Sequence, residues 1–301
     1  MKKNPVVVLP VVLAAAILVA ACAPKAPAPA AAPLPKGHLF IVGGGDRDEP
    51  LMRRYVALAQ ANGPAKVVVF TMASGVPLET GPALVAEFKA YGVADVAYYH
   101  LTRDEALDPA NLTILDGVTG VWFSGGDQAK QTAVLLDTPL HTRMLELYRE
   151  GCLMGGTSAG AAVMSEFMIT GNEKRAGGEE GSWETILADN VEHSRGFGFV
   201  TAAVIDQHFV TRKRHNRLIS VVLENPTLVG VGIEESTAVL VRPDGKYEVL
   251  GEGQVVVYDA RRAKTLRSAD GRLGGHGLTA HVLLAGDIYD PATGAVEEPA
   301  R

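Results

Sequence analysis

Residues 151–162 read GCLMGGTSAGAA, an apolar run followed by a glycine-rich turn and then by small residues. The apolar run predicts a short buried strand, and the small residues after it predict the start of a helix. Residues 156–160 fit the pattern Gly-x-Ser-x-Gly in the strand–turn–helix context that a nucleophile elbow requires. The glycines on either side keep side chains away from the strand and the helix, so Ser158 is the candidate nucleophile.

Strand and helix patterns alternate in the chain before this elbow. Four apolar, β-rich runs and four helical patterns follow one another, in chain order, at 38–42, 48–62, 66–71, 81–91, 94–100, 119–124, 127–136 and 140–150. Short strands joined by helices of this length predict βαβ units. The expected fold class is therefore α/β, an open and mostly parallel sheet sandwiched by helices.

The C-terminal third has a different pattern. A strand at 202–207, a helix at 213–224 and a strand at 228–233 continue the alternation. Three short strand patterns then follow at 237–241, 246–250 and 254–258, with a Pro-Asp-Gly turn between the first two. We expect these three to be antiparallel strands added to one edge of the main sheet.

A serine hydroxyl is a poor nucleophile without a neighbouring base. Among the eight histidines, His208 lies at the carboxyl end of a predicted strand, the edge at which open parallel sheets bind their ligands. His208 is therefore the candidate general base. Two acids remain open as its partner. Glu235 closes a strand at the same edge, and Glu173 lies in the polar 170–181 loop, where the order Ser–Glu–His would resemble an α/β-hydrolase.

Two further loops carry glycines at this predicted edge. Residues 124–128 read SGGDQ, and a Gly-Gly pair that opens a helix can present backbone N–H groups to an anion. The N–H of Ala159, with that of Gly126 or Gly125, is the candidate oxyanion hole. Residues 43–46 read GGGD and lack dinucleotide-binding spacing, so we expect these glycines to let the backbone approach a ligand.

A basic cluster follows His208 directly, where residues 211–217 read TRKRHNR. The helix dipole disfavours cations at a helix N-terminus, so cations placed there predict binding of acidic substrate groups. Arginine forks suit carboxylates well. Asp206, Gln207 and Gln128 are expected to complement the arginines by binding a guanidinium or an amide.

The composition excludes several other classes. Of the 301 residues, 47% are hydrophobic, 28 are Lys or Arg and 34 are Asp or Glu. The apolar fraction excludes intrinsic disorder, and two cysteines exclude a disulfide-stapled scaffold. The mild acidity argues against a nucleic-acid partner, and no residues have metal-ligand spacing, so neither a metal nor a cofactor is expected. Cys152 is expected to be a buried structural thiol.

The N-terminal sequence predicts a targeting signal followed by a tether. Lys2 and Lys3 precede an apolar stretch at 6–21, which is short for a membrane span and predicts a signal peptide over 1–21. Residues 19–22 read VAAC and resemble a bacterial lipobox, which predicts lipidation of Cys22. A signal peptide with a chance cysteine is the alternative.

Residues 22–36 consist almost entirely of alanine and proline and predict an extended tether, which leaves 37–301 as one enzyme domain. The expected location is outside the cytoplasm on a membrane anchor. Ala23 after Cys22 favours the outer membrane in a Gram-negative host.

The motifs at 155–161 and 124–128, with DQHF at 206–209 and the arginines that follow, resemble the cyanophycinase family. This family belongs with the dipeptidase E-like serine peptidases of peptidase family S51, on a flavodoxin-like fold of the class I glutamine-amidotransferase type. The resemblance covers roughly residues 37–290. It implies hydrolysis of cyanophycin, a poly-aspartate with arginine on each side-chain carboxyl, to β-Asp-Arg dipeptides.

The resemblance also implies roles for individual residues. Ser158 is the nucleophile, His208 the general base and Glu235 the orienting acid. The residues it assigns to the substrate pocket are Gln128, Asp206, Gln207, Arg212, Arg214 and Arg217. Members are commonly dimers, so a homodimer is expected. An Asp-X or isoaspartyl dipeptidase, and a non-catalytic lipid-anchored binding protein, are the alternative functions.

Overall fold

The structure is a computed structural model that describes residues 34–61, 63–175 and 183–299. The predicted signal peptide, Cys22 and all but the last three residues of the predicted tether lie outside the described residues. No helix within the described ranges is long and apolar enough to cross a membrane.

A nine-stranded sheet forms the centre of the fold. Its strands, in spatial order, are β17 (Ala295–Glu297), β16 (Ile288–Asp290), β11 (Tyr247–Gly251), β10 (Thr237–Val241), β1 (Leu39–Val42), β5 (Leu153–Thr157), β4 (Gly120–Phe123), β2 (Lys66–Phe70) and β3 (Asp95–Tyr99). The strands from β1 to β3 in this order are parallel, and those from β10 to β17 are antiparallel to their neighbours. The parallel half therefore brings the carboxyl ends of its five strands to the edge where Ser158 follows β5.

Helices cover both faces of this sheet. They are α1 (Glu49–Ala59), α2 (Pro77–Ala90), α3 (Arg103–Leu107), α4 (Gln128–Leu135), α5 (Pro139–Glu150), α6 (Ala159–Ala162) and α7 (His215–Glu224), with a 3-10 helix at Pro109–Leu115. Local signals set their ends. Asp48 caps α1 by accepting a hydrogen bond from the N–H of Leu51, and Gly151 ends α5 with a φ of 125°.

The core has two main layers because side chains alternate along the strands. On β1, Leu39 and Ile41 pack with α4, α5 and α6, whereas Phe40 and Val42 pack with α1 and α2. Strands buried on both faces are typical of parallel sheets covered by helices. The predicted α/β sandwich is confirmed.

A second sheet of four strands lies beside the first. Its order is β15 (Thr279–Leu283), β12 (Val255–Asp259), β9 (Val229–Ile233) and β8 (Ala203–Asp206). The expectation that residues 254–258 join the main sheet is wrong, since β12 pairs with β9. Both faces of β12 are apolar: Val255 and Val257 join the large core, and Val256 packs in a smaller cluster with Phe209 and α7. β12 therefore lies between two layers, and both of its apolar faces are buried.

Two other parts of the chain differ from the predicted pattern. β5 continues to Thr157 through two glycines. Gly155 lies against Tyr55, since a Cβ on it would come 2.6 Å from the Tyr55 ring. The hairpins β6 (Phe167–Glu173) with β7 (Val191–Arg195), and β13 (Lys264–Arg267) with β14 (Leu273–His276), were not predicted. β7 and β13 are largely polar and exposed, so they lack the apolar signal that marks a buried strand.

Candidate active site

Three side chains meet at the carboxyl edge of the two sheets. Ser158 follows β5, His208 follows β8 and Glu235 follows β9. His208 Nε2 lies 2.8 Å from Ser158 Oγ, and His208 Nδ1 lies 2.5 Å from Glu235 Oε1. This is the arrangement of nucleophile, base and orienting acid that activates a serine.

Ser158 occupies a strained turn. Its φ of 55° and ψ of −112° fall outside the regions that residues with a Cβ ordinarily adopt. The turn is held because the Ser158 N–H donates to the Val42 carbonyl at 3.1 Å, and because Gly160 lies against β4, where a Cβ would come within 2.1 Å of the Phe123 carbonyl oxygen. Strand, elbow and helix thus fix the direction of the hydroxyl.

The glycines after β1 support His208 and Glu235. A Cβ on Gly44 would lie 2.2 Å from His208 Cε1, and one on Gly45 would lie 2.7 Å from Glu235 Cβ. The His208 N–H also donates to the Gly43 carbonyl at 2.7 Å. Gly44 and Gly45 therefore pack directly against catalytic-site side chains.

Glu234 is a site residue that the sequence analysis missed. Its carboxylate accepts hydrogen bonds from the backbone N–H groups of Val210 and Thr211 and from the Thr211 hydroxyl. Burial opposes its charge, but these bonds outweigh burial and hold the pKa of Glu234 below its ordinary value. Glu234 thereby fixes the turn that follows His208. Its position next to Glu235 was the available signal.

The base is held in the form that catalysis needs. Burial lowers the pKa of His208 below 6.5, and the charge of Arg212 lowers it further. The hydrogen bond to Glu235 acts in the opposite direction and raises it. Since the net direction is downward, the imidazole is neutral at neutral pH and can accept the Ser158 proton.

Glu173, the alternative acid, lies elsewhere. It is on β6, and its Oε1 accepts a hydrogen bond of 3.0 Å from Asn190 Nδ2. The structure brings Glu235 to His208 and does not bring Glu173 there, because the β6–β7 hairpin pairs Glu173 with Val191.

The oxyanion candidates lie on two adjoining loops. Ala159 is the first residue of α6, and the first N–H groups of a helix have no partner within the helix. Gly125 lies against the nucleophile, since a Cβ on it would be 3.4 Å from Ser158 Cβ. Gly126 has its α-carbon against Ala73, with a φ of 132° that glycine tolerates.

Asp206 and Arg217 form a buried ion pair. The Arg217 guanidinium donates two hydrogen bonds to the Asp206 carboxylate, one of them Nε to Oδ2 at 2.7 Å, and it stacks on Trp183. Asp206 is 1% exposed and Arg217 is 2% exposed. The prediction that both contact substrate is therefore corrected: each saturates the other beneath the surface.

Gln128, Gln207 and Arg214, three of the other predicted pocket residues, also have protein partners. Arg214 donates to both the carbonyl and the side-chain oxygen of Gln207, and burial lowers the pKa of Arg214 to about 10. Gln128 Nε2 donates to the carbonyls of Ile169 and Thr170, each at 2.8 Å. These three side chains brace loops around the site, whereas Arg212 is exposed.

A cavity of about 430 Å³ opens in front of Ser158. Its described lining consists of Gly44, Gly45, Arg47, Thr80, Ala83, Leu84, Glu87, Ser124, Gly125, Thr157, Ser158 and His208. The six predicted pocket residues are not part of that described lining. One wall is instead built by α2 and the loop after β1.

Two further observations concern metal binding and catalysis by cysteine. Within the described residues, no group of three or more His, Cys, Asp or Glu side chains is placed to hold a metal ion. Cys152 is buried, and burial raises the pKa of its thiol to about 12. A thiol in this state is not a nucleophile at neutral pH.

Comparison with known proteins places this site in a family. The model of peptidase family S51 matches residues 56–249. The chain belongs to peptidase family S51. It is thus a serine-type peptidase, and the resemblance drawn from the motifs is confirmed.

Individual relatives extend the match beyond the family model. The chain is 31% identical over 263 residues to a cyanophycinase of Trichormus variabilis, covering 84% of this chain and 85% of the relative. It is 33% identical over 270 residues to a cyanophycinase of Synechococcus elongatus, covering 87% and 81%. The crystal structure of a peptidase from an acI-B1 actinobacterium shares the fold, with a TM-score of 0.62 at 21% identity over 84% of this chain and 96% of that one.

Proposed function

We propose that this peptidase hydrolyses cyanophycin to β-Asp-Arg dipeptides through an acyl-enzyme on Ser158. The observation that carries the proposal is the placement of His208 between Ser158 and Glu235. Relatives of about 30% identity over most of both chains that are cyanophycinases support the substrate.

Acylation begins with proton transfer. His208 Nε2 accepts the Ser158 proton as Ser158 Oγ attacks the carbonyl carbon of an aspartyl peptide bond. Glu235 keeps the other ring nitrogen of His208 oriented and stabilises the imidazolium that forms. The backbone N–H of Ala159, with that of Gly126 or Gly125, binds the tetrahedral oxyanion.

Collapse of the tetrahedral intermediate breaks the peptide bond. His208 gives its proton to the leaving amine, and the aspartyl group remains as an ester of Ser158. His208 then takes a proton from the water that attacks the ester carbonyl, and it returns that proton to Ser158 Oγ as the ester bond breaks and the aspartyl acid leaves. Glu234 keeps the His208 turn in place during both half-reactions.

A substrate panel tests this proposal. The full chain is assayed for kcat/KM on cyanophycin, on Asp-X dipeptides and on isoaspartyl dipeptides. We expect cyanophycin to be preferred by at least about tenfold, since the relatives that match most of this chain are cyanophycinases. Preference for either dipeptide class would establish the alternative dipeptidase function. Binding without turnover of any member would establish a non-catalytic binding protein.

We further propose that the protein is a lipoprotein outside the cytoplasm, released from its signal peptide at Cys22, and that it works as a homodimer. The lipobox-like VAAC at 19–22 and the Ala/Pro tether support the anchor. Incorporation of labelled palmitate into wild type, and its loss in Cys22→Ser, would support it. Label in Cys22→Ser, or none in wild type, would overturn it. Sedimentation of the purified protein tests the dimer.

A further inference from the structure

An ion pair lies in the wall of the cavity that contains Ser158. Arg47 Nε and Nη2 donate to the two carboxylate oxygens of Glu87, at 3.2 and 2.6 Å. The two side chains are 19% and 22% exposed, and the guanidinium lies 6.0 Å from the centre of the Trp122 ring. Arg47 and Glu87 are the charged side chains in the described lining, in which His208 is neutral.

Glu87 belongs to a regular wall on one face of α2. Thr80, Ala83, Leu84 and Glu87 follow the spacing that places residues on one side of a helix, and all four line the cavity. The wall extends about 10 Å along the helix axis. It is small and apolar in the middle and carries a carboxylate at one end, which suits a ligand with an aliphatic stem and a cationic head.

Arg47 supplies the opposite charge from the other side. It lies in the loop after β1, two residues beyond Gly45, which packs on Glu235. The pair is therefore attached to the loop that supports the catalytic side chains. The cavity offers a ligand one fixed cation and one fixed anion within hydrogen-bonding distance of each other.

We propose that Arg47 and Glu87 bind the arginine unit of the substrate, a step that rests on the proposed function. Each arginine of cyanophycin is attached through its α-amino group, so it carries a free α-carboxylate and a guanidinium. Glu87 binds that guanidinium, and Arg47 binds that carboxylate. When the ligand binds, the ion pair between Arg47 and Glu87 is replaced by two ion pairs with the ligand. No charge is then left unpaired in the cavity.

This assignment differs from the role predicted for the arginines after His208. Arg217 and Arg214 are occupied by Asp206 and Gln207 and do not belong to the described lining. Arg47 and Glu87 instead face the same space as Ser158. Selectivity for arginine-bearing units therefore comes from the α2 wall.

Three short oligomers test the proposal. One carries β-Asp-Arg units, one carries citrulline in place of arginine and so loses the positive charge, and one carries agmatine and so loses the carboxylate. For wild type we expect kcat/KM to fall roughly 10- to 100-fold on each altered oligomer. Glu87→Gln should abolish the preference for arginine over citrulline, and Arg47→Gln should abolish the preference for arginine over agmatine.

Control variants separate binding from folding. Arg143→Gln removes an arginine that pairs with Glu146 and Glu150 outside the cavity, and it should keep both preferences. The exchanged pair Arg47→Glu with Glu87→Arg retains an ion pair, so it should fold and lose both preferences. Thermal unfolding checks that each variant is folded.

The outcomes distinguish the two proposals. If wild type hydrolyses the arginine oligomer without preference over the other two, or if folded variants keep the wild-type preferences, the arginine site is wrong and the proposed function stands. If wild type hydrolyses no oligomer, the proposed function fails. Direct titration of β-Asp-Arg into Ser158→Ala then decides the arginine site alone, since tight binding that Glu87→Gln abolishes supports it and absence of binding overturns it.

Discussion

The elbow at 155–161 and the basic cluster at 211–217 both mark the site, but they behave differently in the structure. The elbow holds Ser158 in the strained turn that its glycines predict. In the cluster, Arg217 and Arg214 turn inward to Asp206 and Gln207 instead of facing substrate. The glycines of the elbow determine its geometry locally. The direction of a charged side chain depends instead on the partners that the fold brings next to it.

The largest expected effect falls on the elbow. Ser158→Ala removes the nucleophile, so kcat on cyanophycin should fall by at least ~10⁴-fold while the thermal unfolding midpoint stays unchanged. Ser194→Ala, at an exposed serine of β7, is the matched control and should keep full activity. Appreciable turnover by folded Ser158→Ala would remove Ser158 from the mechanism.

The next largest effect concerns the loop that supports the base. Gly44→Ala adds a Cβ that would lie 2.2 Å from the His208 ring, so the imidazole must move and kcat should fall about 100-fold. Gly92→Ala is the control, because Gly92 also has a positive φ but no atom within 4 Å of the added Cβ. Steady-state kinetics measure both. Equal activity of the two variants would contradict the supporting role of Gly44.

For the basic cluster, we expect loss of the ion pair between Arg217 and Asp206 to lower stability more than it changes substrate binding. Asp206→Ala leaves the buried Arg217 unpaired and should lower the free energy of unfolding by about 3–5 kcal/mol. Arg53→Gln breaks an exposed pair with Glu49 and should cost less than about 0.5 kcal/mol. Chemical denaturation measures both. Unchanged stability together with a raised KM would show that Asp206 contacts substrate after all.

The smallest expected effect is on the pH dependence. Because the pKa of His208 is lowered, the acid limb of kcat/KM should lie below pH 6.5, with activity lost as pH falls through it. Arg212→Gln removes a positive charge that lowers this pKa, so the limb should move to higher pH by a few tenths of a unit. A limb that stays in place, or moves to lower pH, would show that Arg212 does not act on His208.

The parallel half of the fold could be predicted because strands buried on both faces leave continuous apolar runs, as in 66–71. Ser158, His208 and Glu235 could be predicted for a related reason, since each follows such a strand. β7 could not, because a largely polar and exposed strand carries no apolar signal. The partner of β12 depends on which layers cover its two faces, and this is a tertiary property.

Charge placement was the least predictable part of the site. Arg47 and Glu87 are 40 residues apart and meet only because α2 lies beside the loop after β1. Burial of Arg217 had a signal, since it lies four residues before Val221 on the apolar face of α7. Such a position indicates an arginine that faces the core, which composition and net charge cannot show.

Mass analysis of the products released from cyanophycin tests the central claim most directly, with wild type and Ser158→Ala compared side by side. The account predicts β-Asp-Arg dipeptides with wild type and intact polymer with Ser158→Ala. Release of free arginine with poly-aspartate left behind, or equal product from both proteins, would contradict it.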